Sequence, residues 1–527
     1  MGKKSSNRIV RAWRALWGKK SSNRIVRAWR VYDGATSGGR AASWVGDRYD
    51  ANSELAVGLD ELRQRSRDLI RNNAYARKAI DALTNSVVST GIRPTVDTGD
   101  KVVKHPTTGV EVRLDDLLYE LWEKWGQHPV SGSQMDIYGL EQLACRAMFA
   151  DGETVLRIRP RSMSDMPGVP PVKLQPLEAD HLPSDLTKPV GGGSLNRIIS
   201  AVEVDALGEP VAFHVYREHP GLAGPFGTSF LTGTVRIPAS SIIHGYRATR
   251  PGQLRGEPIL SPVILSLWDL AGYTEAIRVA TRAAATLVAT VEGGDESDPP
   301  DGVANDEDDS GNPLTDADGN PIEFLQPGGV IYAAPGKKVT IHSPQPPSGV
   351  AEFINAMLHE IAAGVGLSYH TLSGDMSDSS FAQAKLGLID QARQVEVIRE
   401  QVFIPLVLNP IWKAFIDAGI AAGLIPNDPD VYAVSWSAPL QQQADRLDEV
   451  KAAILEMQAG LRDREGLIEA GGRDPDKVNE AIARDKAKRL ELGIVSLGDL
   501  GQVTTSGQAQ VLAAVLGTPP DKETDAS

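Results

Sequence analysis

A predominantly helical α+β fold is predicted by three observations. Apolar residues recur at steps of three and four through residues 55–94, 261–291, 350–364 and 380–402. Between the first two of these stretches, residues 153–246 switch to short β-branched runs separated by Gly and Pro, the pattern of a mainly antiparallel β subdomain. The chain has 527 residues, more than one core usually supports, so about two to four subdomains are expected.

In chain order, residues 1–54 read as a basic arm. Residues 2–14, GKKSSNRIVRAWR, recur without change at 18–30. Arg8, Arg11, Arg14, Arg24, Arg27 and Arg30 alternate there with Ile, Val and Trp as in a basic amphipathic segment, suited to nucleic acid, an anionic surface or a partner. From residue 55 a helical pattern carries Leu59, Leu62, Leu69, Ile80, Leu83 and Val87 to a stop at Gly91 and Pro94. Further helices are expected over 114–125 and 140–150. Strands are expected over 154–159, 172–177, 198–204, 211–216 and 241–246.

The longest pattern starts at Ser261, an expected N-cap, with Pro262 in the first turn, and runs to Val291 before Gly293-Gly294. Such a helix would be about 45 Å long. An acidic excursion follows, and residues 322–325, 330–332 and 339–342 read as short strands. A helix resumes at about 350, breaks near 364–374 and restarts near 380, with Pro405 and Pro410 expected to end or kink it. A strand near 431–436 and more helices over 440–493 complete the pattern.

Charge is unevenly placed. The net charge is −14, yet residues 1–30 hold ten Lys or Arg and no acid, while residues 283–336 hold twelve acids and no Lys or Arg. The two ends of this polarity suit different partners. Cys145 is the single cysteine, which excludes an intrachain disulfide and suits a buried core thiol. Arginines interrupt every apolar run near the start, so no secretory signal is expected. No uninterrupted apolar run approaches the roughly 18 residues of a membrane span, so no membrane partner is expected.

Catalytic motifs fail on inspection. His359-Glu360 begins like a zinc-binding helix, but Ala363 stands where the second histidine belongs. Asp306, Asp308 and Ser310 before Gly311 resemble the start of a calcium loop, but Pro313 interrupts it and Ala317 replaces the bidentate acid. Neither a phosphate-cradling GxxxxGK[ST] nor a G-x-S-x-G elbow is present. His244, lone in a strand, suits a structural hydrogen bond. No enzyme, metal or cofactor is therefore expected. A metal-dependent hydrolase on the Asp-rich loop, or a nucleic-acid binder acting through the basic arm, are the rival readings.

Several ordered stretches resemble one family. RSRDLIRNNAYARKAIDALTNSVVSTGI at 65–92, DGETVLRI at 151–158, LQPLEADHL at 174–182, IIHGYRATRPGQLRGEPILSPVI at 242–264, EFLQPGGVIYAAPGKKVTIHSP at 323–344 and IAAGVGLSYHTLSGDMSDSSFAQAK at 361–385 are similar to the lambda-type portal proteins of tailed bacteriophages. The likeness covers about 60–490. One departure is local: the family's Asn-Tyr-Ser-Ser-x-Arg is replaced by Ser380, Phe381, Ala382, Gln383, Ala384 and Lys385.

The resemblance implies a portal fold: a wing over 55–260, a stem helix over 261–292, a clip over 293–346, a return stem helix over 347–372, a tunnel loop over 373–383, a tunnel-lining helix and return to the wing over 384–437, a helical crown over 438–495 and a flexible tail over 496–527. It implies a ring, commonly of twelve subunits, at one capsid vertex. Double-stranded DNA would pass through the ring without sequence specificity. The terminase large subunit, the head–tail adaptor and the major capsid protein or scaffold would be its partners, in the virion and, during assembly, in host cytoplasm. Glu275, Arg278 and Arg282 then become candidates for the stem or channel; the arginines would either meet acids on a neighbour or face the channel, or Arg278 would pair with Glu275 within the helix. Asp375, Asp378, Ser380, Phe381, Gln383 and Lys385 become tunnel-loop candidates. Asp306, Asp308, Asp309, Asp316 and Asp318 become clip candidates for partner docking.

Overall fold

In the computed structural model the described residues are 48–99, 101–191, 193–222, 233–285, 288–292, 338–342, 349–376, 381–439, 446–470 and 475–492. The chain divides into residues 1–54 and 55–527. Of the first unit, residues 48–54 are described; they open α1 (Ala51–Asn72), where the Asp50 carboxylate accepts the Asn52 N–H at 3.2 Å.

Helix α2 (Ala74–Val87) begins at once, because the Asn73 side chain caps it by accepting the N–H groups of Tyr75 and Ala76. After β1 (Arg93–Thr95) and the hairpin of β2 (Val102–Lys104) and β3 (Glu111–Arg113), α3 (Leu114–Gly126) and α4 (Ile137–Ala150) complete the first helical layer. Trp122 and Trp125 of α3 lie against Trp412 and Phe415, with ring centroids 5.2–5.4 Å apart. These rings anchor the larger core, in which Cys145 is fully buried.

The period then changes from helix to strand as expected. Strands β4 (Glu153–Pro160), β5 (Val172–Leu177) and β11 (Ile242–Tyr246) form a three-stranded sheet in the order β11-β4-β5. Strands β6 (Lys188–Pro189), β7 (Arg197–Ile199), β8 (Val202–Val204), β9 (Pro210–Tyr216) and β10 (Thr234–Pro238) form a meander, and all these strand pairs are antiparallel. The run expected as one strand over 198–204 is two. Ser200 and Ala201 both adopt positive φ, 45° and 68°, and reverse the chain between β7 and β8. A two-residue turn with φ > 0 at both positions normally uses Asn or Gly, so a Ser-Ala pair carries no turn signal.

The long helix is shorter than expected. Ser261–Val263 is a single 3-10 turn, and Ser261 donates its hydroxyl to the Pro258 carbonyl at 2.7 Å instead of capping. Helix α5 (Ile264–Ala285) has 22 residues, about 33 Å. Residues expected to continue it form β12 (Val288–Glu292), paired antiparallel with β13 (Lys338–His342). Val288, Thr290 and Val291 favour a strand once KVTIH offers a ladder, so cross-strand pairing overrides the helical period.

Beyond it run α6 (Val350–Val365) and the five-residue α7 (Tyr369–Ser373), and then α8 (Phe381–Ile398). Pro405 does not stop the next stretch: the winding widens to a π-helix over Arg399–Leu408, and α9 (Asn409–Ala421) follows with Pro410 in its first turn, where no N–H is needed. Lys385–Ala421 is long and apolar enough to cross a bilayer by length and composition alone, but 56% of its apolar window is buried, with Phe403, Val407, Trp412 and Phe415 in the core. The strand expected near 431–436 is a 3-10 turn, Pro429–Tyr432, followed by β14 (Ser435–Ser437) on β1. Helices α10 (Arg446–Gln458), α11 (Arg464–Ala470) and α12 (Pro475–Glu491) end the described chain.

Candidate functional site: a helical stalk and its root

The root of the stalk is a crossing of two motifs. Asp151-Gly152-Glu153 enters β4, and Arg255-Gly256-Glu257 lies between β11 and α5. Their backbones touch at the glycines: a Cβ on Gly256 would stand 1.9 Å from the Gly152 carbonyl oxygen, and one on Gly152 would stand 2.4 Å from the Glu257 backbone. Gly152 also has φ +88°, a conformation that L side chains resist.

The crossing sets Glu153 and Arg255 side by side in the interior. Arg255 Nε donates to the two Glu153 carboxylate oxygens at 3.0 and 2.9 Å. Arg63 of α1 donates Nη2 to Glu153 at 2.6 Å, and His244 Nε2 of β11 lies 2.9 Å from its other oxygen. Burial alone would raise the Glu153 pKa, but Arg255 and Arg63 outweigh it and hold the carboxyl well below the usual carboxylate range. Arg255 also donates to the carbonyls of Ser200, at 2.7 Å, and Leu182, at 3.1 Å. The Ser200-Ala201 turn therefore takes its support from a guanidinium instead of a turn residue. Outside this centre, Arg67 joins both oxygens of Asp151 at 2.7 and 2.9 Å and reaches Asp180. One network thus ties α1, both sheets and the segment feeding the stalk.

The stalk is an antiparallel helix pair continued by the β12–β13 ribbon. At its base a Cβ on Gly364 would stand 2.3 Å from Val263 Cγ1. Higher up, Ser266 donates to Glu360 at 2.8 Å, and the rings of Tyr273 and Phe353 meet edge to face with centroids 4.7 Å apart. Ile264, Leu267 and Leu270 face the core. The opposite side of α5 exposes Leu265, Trp268 and Val279, a second apolar stripe that a solvated helix would not require.

Of the three stem candidates, Arg278 pairs with Glu275 at 3.2 Å within the helix, both side chains more than half exposed; this is the intrahelical alternative. Arg282 is exposed on the same flank. Just before the expected tunnel loop over 373–383, the Ser368 hydroxyl caps α7 by accepting the Thr371 N–H at 3.2 Å. Gln391 of α8 accepts from the Ser368 N–H at 3.3 Å and the Thr371 hydroxyl at 2.8 Å, tying the segment back to the following helix. The Asp375 carbonyl lies 2.9 Å from His370 Nδ1. Phe381 opens α8, and Gln383 and Lys385 are exposed one turn on. Asp378 and Ser380 lie outside the described residues, as do the acids expected for a clip, Asp306, Asp308, Asp309, Asp316 and Asp318, and the six arginines of the expected basic arm, Arg8, Arg11, Arg14, Arg24, Arg27 and Arg30. His359 stacks on Tyr369 at 4.1 Å.

One cluster among the described residues has the donor set for a metal: Glu178, Asp180 and His219 bring ligand atoms within 4.8 Å of one another. Arg67 already supplies positive charge there, bonded to Asp180 and with Nη1 3.7 Å from Glu178. His219 Nδ1 accepts the Gly221 N–H at 3.0 Å, so the ring's proton belongs on Nε2, the nitrogen a metal would need bare. The arrangement is a solvated ion-pair cluster.

Sequence reading missed the Glu153 centre because its members lie about 90 to 100 residues apart; the paired Asp-Gly-Glu and Arg-Gly-Glu motifs were its visible trace. It also missed Glu141, which is fully buried and accepts the Ile92 N–H at 2.8 Å; burial pushes its carboxyl well above the usual range. Arg399 was missed too. It caps the C-terminus of α2 by donating to the carbonyls of Val87 and Ser86 at 2.8 and 2.7 Å.

The family described as "Phage portal protein, lambda family" matches residues 37–399. A "Probable portal protein" of Halomonas phage phiHAP-1 is 24% identical over 499 residues, covering 92% of this chain and 90% of that one. Among solved structures, the neck of an empty GTA particle computed with C6 symmetry is 14% identical, covers 82% of this chain and 97% of that one, and has a TM-score of 0.41. An HK97 family phage portal protein from Corynebacterium diphtheriae is 10% identical, covers 72% and 91%, and has a TM-score of 0.29.

Proposed function

The chain belongs to the lambda family of phage portal proteins, and from that premise we propose that its copies close into a ring at one capsid vertex and form the conduit for DNA. The observation that carries the ring is the second apolar stripe of α5. Leu265 and Trp268 are 69% and 63% exposed on a helix whose other side is already packed. Burying such a stripe against another copy removes it from water. The stem is the α5–α6 pair, and the ribbon above it leads into the acidic clip. The net charge of −14 suits a wall that repels phosphates and does not arrest moving DNA. In this reading the ring nucleates shell assembly and docks the terminase large subunit and later the head–tail adaptor through the clip, with capsid protein or scaffold around the wing. No catalytic step belongs to it.

Sedimentation and negative-stain imaging of the purified full chain test the proposal. Rings of defined subunit number are expected; a chain that stays monomeric at high concentration would overturn it.

A further inference from the structure

The strand pair β4–β5 carries an unbalanced group of cations. In its register Val155 lies opposite Leu177, Arg157 opposite Gln175 and Arg159 opposite Lys173, and these side chains share one face of the sheet. Val155 and Leu177 pack in a smaller apolar core with Phe213 and Ile237. Past them the apolar cover stops, and Arg157, Arg159 and Lys173, each half-buried, form the end of the face. Burial and the neighbouring Arg159 hold the Arg157 guanidinium below its ordinary value, and no carboxylate offsets them. Arg159 Nε donates to the neutral Gln175 at 2.8 Å. Neither Arg157 nor Lys173 has a side-chain hydrogen bond or ion pair among the described residues. Asp165, the one acid between them in sequence, is exposed in the connecting loop and makes no ion pair among the described residues. A sheet face in water gains from opposite charges across its strands, whereas a like pair such as Arg159 and Lys173 is destabilising. With about 5 Å between side chains across the strands and about 7 Å along one strand, the three cations repel one another until an anion joins them.

We propose that this face binds the phosphate backbone of double-stranded DNA, with Arg157, Arg159 and Lys173 each set against a phosphate. A protein partner is met through an aromatic or apolar anchor at the centre of its interface, and this face has none. Interfaces with DNA are polar and strongly positive. Strand β11 flanks β4 only as far as Arg157, so the row of Arg159 and Lys173 belongs to a part of the hairpin that β11 leaves open to a duplex. Phosphate contacts of this kind hold DNA without reading its sequence. They lie on β4 and β5, apart from the α5–α6 stalk: a wall past which DNA slides and a surface that holds it are different tasks. The inference does not require the ring to close.

Anisotropy of a labelled duplex of mixed sequence, titrated with the full chain at several salt concentrations, tests this. All proteins compared carry R8Q/R11Q/R14Q/R24Q/R27Q/R30Q, so that the basic segment near the start does not dominate the signal. In that background the duplex is expected to bind at low salt. R157Q/R159Q/K173Q should weaken binding by about tenfold or more and lower the slope of log affinity against log salt by about 2 to 3, since each phosphate contact contributes roughly 0.9. K173Q alone should lower the slope by about 1. The triple variant should melt no lower than its parent, because a repulsion has been removed. No duplex binding in the parent overturns the inference, as does a triple variant with unchanged affinity and slope. If polyglutamate binds as tightly as the duplex and is lost on the same triple substitution, the face takes an acidic polypeptide and the inference is also overturned. Sedimentation of the same samples reads rings separately: monomers that bind DNA through these residues would sink the ring reading and leave this one standing.

Discussion

Glu153 shows how much a single carboxylate can organise when it is buried among cations. It pairs with Arg63 and Arg255 where neither reaches solvent. Breaking such a set from one side leaves uncompensated buried charge. E153Q is therefore expected to cost about 3–5 kcal/mol in urea unfolding, whereas a surface change such as E61Q would stay within about 0.5 kcal/mol. Glu141 carries the opposite sign. Its buried site favours the neutral form, so its contribution is fully present below its ordinary pKa of 4.5 and declines as pH rises toward the raised folded value. E141Q keeps an acceptor for the Ile92 N–H and removes the titration. It should be more stable than the native chain at about pH 8 and equal to it near pH 4.5, read from melting temperatures across that range. Equal stability at both ends would contradict a buried neutral carboxyl.

At the scale of elements, the stalk depends on how its root is threaded. The Gly152–Gly256 crossing leaves no room for a methyl group, so G256A must push the crossing backbones apart. A loss of about 3 kcal/mol or more is expected, with faster hydrogen exchange in β4 and in the segment before α5. Much of the element order was legible, because the apolar periods of α2, α3, α6 and α8 are long and the strands around β4, β5 and β11 are bounded by Gly and Pro. The end of α5 was not legible: the period through Val291 is compatible with a helix, and a partner some fifty residues later in the chain turns those residues into a strand. At Pro405, expected to end or kink the helix, the chain stays helical but changes winding, since a π-helical stretch absorbs the proline.

At the scale of the molecule, the exposed apolar stripe of α5 suits the ring proposed above, in which another copy would cover it. If α5 is the stem, as proposed, the exposed flank bearing Glu275, Arg278 and Arg282 is the part of it open to a neighbour or to the channel. R278E/R282E should leave the fold within about 0.5 kcal/mol, since exposed ion pairs contribute little, yet reduce the yield of DNA-filled particles in a complementation assay. An unchanged yield would remove these arginines from the function proposed for the stem. The resemblance in the ordered motifs reached the family, and residues 37–399 match it. No such motif could say which copy-to-copy surfaces are free, because exposure belongs to the packed chain.

By itself, the sequence determined the class of the fold, the helical period of α5 as far as its last turns, the β-rich region before it and the absence of an intrachain disulfide, because periodicity and composition are local properties that survive in one dimension. Tertiary structure alone decided where α5 stops, why a Ser-Ala pair can make a tight turn and why two glycines 104 positions apart are both required. Each of those depends on a partner brought close by folding: a strand for the helix end, a guanidinium for the turn and one backbone against another for the glycines.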